Sequence, residues 1–569
     1  MARPLWYRQL RQHLAPFRPR VIDSLSGYNR QHLAKDIGAG ITVGLVALPL
    51  AMAFAIASGA TPQAGLTAAI VGGLLVSLLG GSRVQIGGPA GAFIVVVYGI
   101  IERFGFSGLL IATAGAGVML FFMGLFRLGR LIRFVPVSII IGFTNGIAVL
   151  VILSQVKEAL GLSIDKVPAD FFSQLIAISQ KLHTINPWAI GLCAASLALI
   201  VVWPKLYTGG AHPTLWRIVA RLPGTVLAIV LAAALTHSFA LPVQTIGSHF
   251  GSIPQMLPQP IWPEFSWAQA QQLFAPAITL ALLCAIESLL CARVADAATD
   301  ERHDPNQELM AQGIANTCVP FFGGLPVTGT IARTMTNIKS GATSPLSGVV
   351  HALTVLAIVL FAAPFADHIP LAALAAVLLF TGWNMGQWRE FVLLKNFSPT
   401  YRITLLSTFL LTVILDLTVA VEVGLVLSSL FFIVRISSLT RIEPIEIPEA
   451  ARAQAAGYRL YGSLFFGSVH RIESLSEAAT IARLPSTLIL DLTALLSLDS
   501  TGIDALDTLR RALQKRGRTL LISGAGGQPL SILNRSGFAH RLGTHNLCPD
   551  FSSALNRVHE AETTPGQAS

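Results

Sequence analysis

Residues 37–82 read IGAGITVGLVALPLAMAFAIASGATPQAGLTAAIVGGLLVSLLGGS, without one charged side chain. A helix that crosses a bilayer needs about 20 consecutive apolar residues. The stretch therefore predicts two crossings, 37–58 and 62–81, parted by the small residues around Gly59. Uncharged stretches recur at 104–126, 134–156, 182–204, 222–263, 265–286, 309–332, 340–366 and 368–388. The whole composition agrees: of 569 residues 53% are hydrophobic and 12% charged, where a soluble domain is roughly a quarter charged. Mean hydropathy is +0.65. This is a membrane protein.

The same arithmetic excludes a disordered chain, which needs high charge and few apolar residues. It also excludes a disulfide-stapled one, because Cys193, Cys284, Cys291, Cys318 and Cys548 are scattered and make no metal-ligand spacing. No nucleophile–base pairing or metal cluster points to an enzyme, and no cofactor is expected. The net charge of +10, from 39 Lys and Arg against 29 Asp and Glu, would suit a nucleic-acid partner in a polar protein. In a chain this apolar it marks basic loops kept on the cytoplasmic side, so no nucleic acid is expected. Residues 1–36 are polar and rich in arginine, which predicts a cytoplasmic N-terminal segment rather than a cleavable signal.

The predicted spans are 37–58, 62–81, 86–99, 106–127, 134–156, 187–204 and 217–238, then 273–293, 307–322, 328–339, 344–364, 370–386, 401–415 and 419–437. They fall into two sets of seven. The third member of each set is too short to cross and follows a small-residue break, at Gly87-Gly88-Pro89-Ala90-Gly91 and at Gly323-Gly324-Leu325-Pro326-Val327-Thr328-Gly329. Paired, interrupted segments in corresponding halves mark a transporter's binding site near the midplane. Because seven is odd, the second set enters from the opposite side, giving an inverted repeat. An even total returns the C-terminus to the cytoplasm. The predicted fold is thus an α-helical polytopic membrane protein of 14 spans, with the transporter domain at 37–438.

Beyond Arg435 charged residues become frequent and apolar runs shorten to strand length, at 458–466, 486–493 and 518–523, alternating with helical patterns near 470–482, 501–516, 528–536 and 550–560. A small α/β domain with a mixed sheet is predicted over 439–562, followed by a disordered tail at 563–569.

Several residues carry the chemistry. Glu287 stands inside an otherwise uncharged helix, where burial favours the neutral acid, so a role in proton coupling is expected. Arg333 lies about one turn into the second short helix and would hold an oxyanion or neutralise Glu287 in the empty site; the alternative is a guanidinium that snorkels to the cytoplasm. Each short helix presents free backbone N–H groups and a partial positive charge at its start, and small residues let an anion come close. Ala90, Gly91, Gly329 and Thr330 are the backbone candidates, with Ile331 and Ala332 in the same turn. Glu102-Arg103, Lys157-Glu158, Asp416 and Glu422 read as span ends, and Gly115-Ala116-Gly117 as helix packing. Gly524-Ala525-Gly526-Gly527 lacks the lysine of a phosphate loop and reads as a turn.

Five motifs in this order resemble the SulP sulfate-permease family, called solute carrier family 26 in animals, over Tyr28 to about Glu560. They are Ala47-Leu48-Pro49-Leu50-Ala51-Met52-Ala53-Phe54, Gly88-Pro89, Ala285-Ile286-Glu287-Ser288-Leu289-Leu290, Thr330-Ile331-Ala332-Arg333-Thr334, and Asp491-Leu492-Thr493 with Leu498-Asp499-Ser500-Thr501-Gly502. The last is similar to the signature of a STAS domain. The resemblance implies spans 1–4 and 8–11 as a substrate-carrying core, spans 5–7 and 12–14 as a gate, and a homodimer. It implies that Leu50 and Phe54 line the pocket, although an ordinary core or lipid face is the alternative for both. Glu287 and Gly341-Ala342-Thr343-Ser344-Pro345 look most like the bacterial proton-coupled branch that carries C4-dicarboxylates. The sodium-coupled bicarbonate branch tends to have Asp at 287 and Thr at 291, so sodium is the less expected coupling ion. The expected function is secondary-active uptake of a C4-dicarboxylate or sulfate across the inner membrane; a bicarbonate/chloride-type exchanger or an anion channel of the same family is the alternative. In related soluble domains a phosphorylatable hydroxyl stands where Ser500 and Thr501 do, but a helix cap by Asp499 or Ser500 is the favoured reading. A cytosolic protein partner for this domain is expected from the same resemblance.

Overall fold

The computed structural model describes residues 17–24, 28–129, 136–164, 168, 171–203, 223–252, 254–262, 267–415, 417–477, 481–482 and 484–563. Most of the N-terminal segment, residues 564–569 of the predicted tail, Asp416 and the side chain of Glu422 lie outside them. The chain divides into two compact units, Met1–Leu425 and Val426–Ser569.

In the first unit, α1 (Arg30–Ala57) starts where the Asn29 side chain accepts from the backbone N–H of His32. α2 (Pro62–Leu79) starts on a proline, whose fixed φ suits a first turn, and contains a π-helical turn at Ala68–Gly72. The short strand β1 (Gly87–Gly88) and a 3-10 turn (Gly91–Phe93) lead into α3 (Ile94–Leu125). Gly105, at φ 72° and ψ 177°, breaks α3 between the two predicted spans, next to Glu102-Arg103. Only glycine takes that conformation without strain. α4 (Val137–Leu160) ends at left-handed Gly161, and α5 (Pro187–Val202) and α6 (Gly224–Phe239) follow.

The second set begins with α7 (Phe274–Thr299) and α8 (Pro305–Cys318), the latter capped by Asp304, whose carboxylate accepts from Asn306 and Gln307 N–H groups at 2.9 and 3.2 Å. Strand β2 (Thr328–Gly329) precedes α9 (Ile331–Lys339). Then come α10 (Leu346–Ala366), α11 (Leu371–Met385), α12 (Pro399–Ile414) and α13 (Leu417–Leu439). The order of apolar helices and interrupted segments is the predicted one. Among the described residues six helices, α1 to α4, α7 and α10, are long and apolar enough by themselves to cross a membrane. Phe361 and Phe365 of α10 and Trp383 of α11 stand exposed, as a lipid-facing surface allows.

Small residues bring the helices together. A side chain at Gly117 of α3 would run into the backbone of Asn316 and Thr317 on α8, and one at Gly313 of α8 into Phe121 of α3. The glycine run in span 4 is therefore helix packing, as its composition predicts.

The second unit has a sheet in the order β3 (Arg441–Ile445), β4 (Ala455–Leu464), β5 (Thr487–Asp491), β7 (Thr519–Ser523), β8 (Leu547–Cys548), with β6 (Leu495–Leu498) paired to β4. β3 and β4 are antiparallel and the other pairs parallel, the mixed sheet expected. Alternate residues face opposite sides, so Leu488, Leu490, Leu520 and Ile522 join one apolar cluster while Ile489 and Leu521 join another. The first is covered by α14 (His470–Ser476) and α15 (Ser500–Gln514), the second by α17 (Phe551–Thr563); α16 (Gly527–Arg535) follows β7. The unit begins inside α13 rather than at residue 439. The last turns of α13 are fastened to it: Ser437 Oγ donates to the carbonyl of Gly467.

Asp499 caps α15, its carboxylate accepting from Gly502 N–H at 2.8 Å. Ser500 and Thr501 occupy the first turn, so of the two cap candidates it is Asp499 that accepts.

Candidate functional site

The two interrupted segments meet. β1 and β2 pair antiparallel, Gly87 opposite Gly329 and Gly88 opposite Thr328. Non-helical backbone inside a membrane protein must find partners within the protein, and this ladder supplies them. Thr330 N–H donates to the carbonyl of Ile86 at 3.0 Å, and Ile86 N–H to Thr334 Oγ1 at 3.0 Å. The starts of α9 and of the 3-10 turn entering α3 are thereby brought to one place. Close approach is the reason for glycine: a side chain at Gly329 would overlap that of Gln85, and one at Gly88 would overlap the Arg333 guanidinium.

Arg333 is buried, not snorkelling. Its Nη2 donates to the carbonyl of Pro89, while Nη1 has no hydrogen-bond partner. A buried guanidinium with an unspent donor beside two helix starts is suited to hold an oxyanion. Thr330 is the first cap residue of α9, yet its hydroxyl donates at 3.2 Å to the carbonyl of Ile86 rather than standing free. Ile331 is half-buried and Ala332 exposed. Leu50, Phe54, Ala90 and Gly91 are buried. Phe54 and Gly91 face each other, and Met385 at the end of α11 closes on both: a side chain built at Gly91 would lie 3.1 Å from Met385 Sδ and 3.2 Å from the Phe54 ring.

Glu287 is half-buried on α7 and makes no hydrogen bond or ion pair among the described residues. The Glu287–Arg333 pairing raised from the sequence is absent: Arg333 spends its hydrogen bond on Pro89 instead. The α7 face beside Glu287 holds the second interrupted segment: Cys284 Sγ donates to Val327 O at 3.1 Å, Thr328 Oγ1 of β2 donates to Cys284 O at 3.1 Å, and Cys291 Sγ donates to Thr334 Oγ1 of α9 at 3.3 Å.

Behind this face lies a buried polar network that the sequence reading missed. Gln85 Nε2 donates to Ser288 Oγ (3.0 Å), Ser288 Oγ donates to Glu308 Oε1 (3.0 Å), and Gln312 Nε2 donates to the same Oε1 (3.0 Å). Glu308 Oε2 accepts from Gly81 N–H at 2.9 Å. Asn316 exchanges two bonds of 2.8 Å with the backbone of Val327. The available signal was the spacing of Glu308, Gln312 and Asn316, four apart on one face of the helix.

A cavity of about 430 Å3 is lined by Ile56, Ile94, Tyr98, Glu102, Lys157 and Glu158 among others. Lys157 and Glu158 pair at 3.4 Å with both side chains largely buried. These predicted span ends therefore flank a vestibule between α1 and α3 on one side and α4 on the other.

A sequence model of the sulfate permease family matches residues 33–408, and one of the STAS domain residues 446–554. The chain belongs to the sulfate permease family. This permease is 41% identical over 92% of its length, and 97% of the relative's, to "Putative sulfate transporter YvdB" of Bacillus subtilis. It is 32% identical over 72% of each chain to "Bicarbonate transporter BicA" of a Picosynechococcus strain. Its structure is similar to that of the murine Solute Carrier 26 family member A9 anion transporter in the inward-facing state (TM-score 0.85, 19% identity, 98% of this chain and 96% of that one), which shows the fold. The transmembrane domain of a cyanobacterial bicarbonate transporter BicA matches with TM-score 0.61 at 28% identity, over 69% of this chain and 98% of that one. The permease is accordingly a multi-pass membrane anion transporter with a C-terminal STAS domain, and not an enzyme.

Proposed function

We propose that the permease is a proton-coupled importer of a small divalent anion, sulfate or a C4-dicarboxylate, in the inner membrane, with both termini cytoplasmic. The observation that carries this is Glu287, a carboxylate on an intramembrane helix with no partner among the described residues, next to the paired strands and buried Arg333. An unpaired charge there is costly, and taking up a proton removes the cost. In this reading the anion enters through the vestibule and sits between the two helix starts, at the free Nη1 of Arg333. Neutral Glu287 lowers the negative charge in the site. The core moves against the gate, where Met385 meets Phe54 and Gly91, and loss of the proton to the cytoplasm restores the carboxylate and expels the anion. Leu50, Ala90, Gly329, Thr330, Ile331 and Ala332 shape the pocket around it. Protons rather than sodium drive the cycle. The relative named for sulfate favours the inorganic anion, and the relatives named for bicarbonate keep that ion in the panel. Assembly as a homodimer, a cytosolic protein partner for the STAS domain, and a regulatory role for the exposed edge near Ser500 and Thr501 complete the reading.

The test is uptake into proteoliposomes, wild type against Glu287→Gln, across a pH step and a sodium step, for succinate, fumarate, aspartate, sulfate and bicarbonate in turn. Glu287→Gln keeps the volume and mimics the protonated acid, so anion binding and exchange survive while acid-driven accumulation vanishes. Sodium-driven uptake by the wild type, or concentration of substrate by Glu287→Gln on a pH gradient, refutes the mechanism.

A further inference from the structure

His351 on α10 is completely buried, and neither ring nitrogen has a hydrogen-bond partner. It stands beside Gly73 of α2, where a built side chain would lie 3.5 Å from its Nδ1 and 3.1 Å from the carbonyl of Gly87 in β1. Ser344, Ser347 and His351 share one face of the α10 region at spacings of three and four. Opposite that face are Ser77 of α2, against Gly348, and Asn337 of α9, whose Nδ2 donates to Ser347 Oγ and to Val84 O, both at 2.8 Å. Ser77 Oγ, Asn337 Oδ1 and Arg333 Nη1 are buried and unpartnered as well. At the far end Ser344 Oγ donates to the buried carboxylate of Asp36 at 2.5 Å, and Tyr28 OH donates to the same carboxylate at 2.8 Å. A polar column thus runs through the core from the paired strands to Asp36, an end that is cytoplasmic in the proposed orientation.

Buried polar atoms left without partners in a native protein call for an explanation, and ordered water between them is the commonest one. A neutral imidazole accepts a proton at one nitrogen and gives one up from the other, which returns it to the neutral ring. We propose that His351 is an internal proton-transfer group, and that the hydroxyls of Ser77, Ser347 and Ser344, with water between them and Asn337 holding Ser347 in place, continue from it as a proton path to the Asp36 end, separate from the route the anion takes between core and gate. The inference rests on the proton-coupled reading of Glu287. α10 packs mainly against α1 and α2, and Asn337 of α9 bonds to its Ser347; α2 has no charged residue, the charges of α1, Arg30, Lys35 and Asp36, lie at its start, and α9 carries Arg333 and Lys339.

The experiment counts protons moved per anion in proteoliposomes of the full-length chain, with a pH dye inside and sulfate or succinate as the probe. His351→Gln is expected to bind the anion within about twofold of wild type, while substrate-driven proton entry falls by about tenfold or more. Ser77→Val, which interrupts the column from α2, is expected to lower it in the same direction and decides the matter if His351→Gln does not fold. A wild-type proton-to-anion ratio in folded His351→Gln, or in Ser77→Val, overturns the path and leaves Glu287 coupling standing. A wild type that carries the anion and moves no protons overturns the coupling reading, and the path with it.

Discussion

Arg333 donates from Nη2 to the carbonyl of Pro89, 244 residues earlier in the chain. The bond clamps the start of α9 to the strand that precedes α3, across the pairing of Gly87 with Gly329. One side chain thereby joins the two halves of the repeat and still keeps a donor, Nη1, unspent.

Arg333→Ala is expected to weaken anion binding by about 2–5 kcal/mol, because the anion loses a desolvated charge partner. Thr330→Val removes only a neutral bond to Ile86 and is expected to cost about 1 kcal/mol. Calorimetric titration of the purified variants with sulfate and succinate checks the order; a larger effect at Thr330 contradicts the site.

Gly329→Ala is expected to destabilise the protein by about 1–3 kcal/mol, because the new methyl displaces Gln85 from Ser288. In a Gln85→Ala background the same change is expected to cost clearly less, since the obstructing side chain is gone. Thermal unfolding of the two single variants and the double variant measures the coupling, and simple additivity would exclude the steric account.

Glu308→Gln keeps the shape but turns one of two accepting oxygens into a donor, facing either Gly81 N–H or the Ser288 and Gln312 pair. A loss of about 1–3 kcal/mol in unfolding stability is expected. An unchanged melting midpoint would mean that Glu308 is not the acceptor at the centre of the network.

In the STAS domain, Asp499→Ala is expected to cost about 1 kcal/mol and to raise hydrogen exchange in the first turn of α15, whereas Ser500→Ala leaves both nearly unchanged. The reverse order would return the cap to Ser500.

What the sequence determined by itself is what depends on composition and local pattern. The uncharged stretch from Ile37 announces crossings because lipid offers backbone and side chains no alternative to an apolar helix. The glycines at 87–88 and 323–324 announce breaks, and the short unbroken apolar run Leu488-Ile489-Leu490 announces a strand with two covered faces. Even Glu287 and Arg333 stood out, because an ionisable side chain in an apolar run is conspicuous wherever it ends up. Only the tertiary structure decided which polar groups meet. Gln85 touches Ser288 across 203 positions and Ser344 touches Asp36 across 308, and no periodicity within either segment encodes such a partner. Thr330 looks free as a letter, yet its hydroxyl is spent on Ile86, and Glu287 looks like Arg333's counter-charge until Pro89 takes the guanidinium. Hydrophobicity is additive along a chain and can be read from one segment at a time; a hydrogen bond is directional, works only within about 3 Å, and exists once both segments have been brought to the same place.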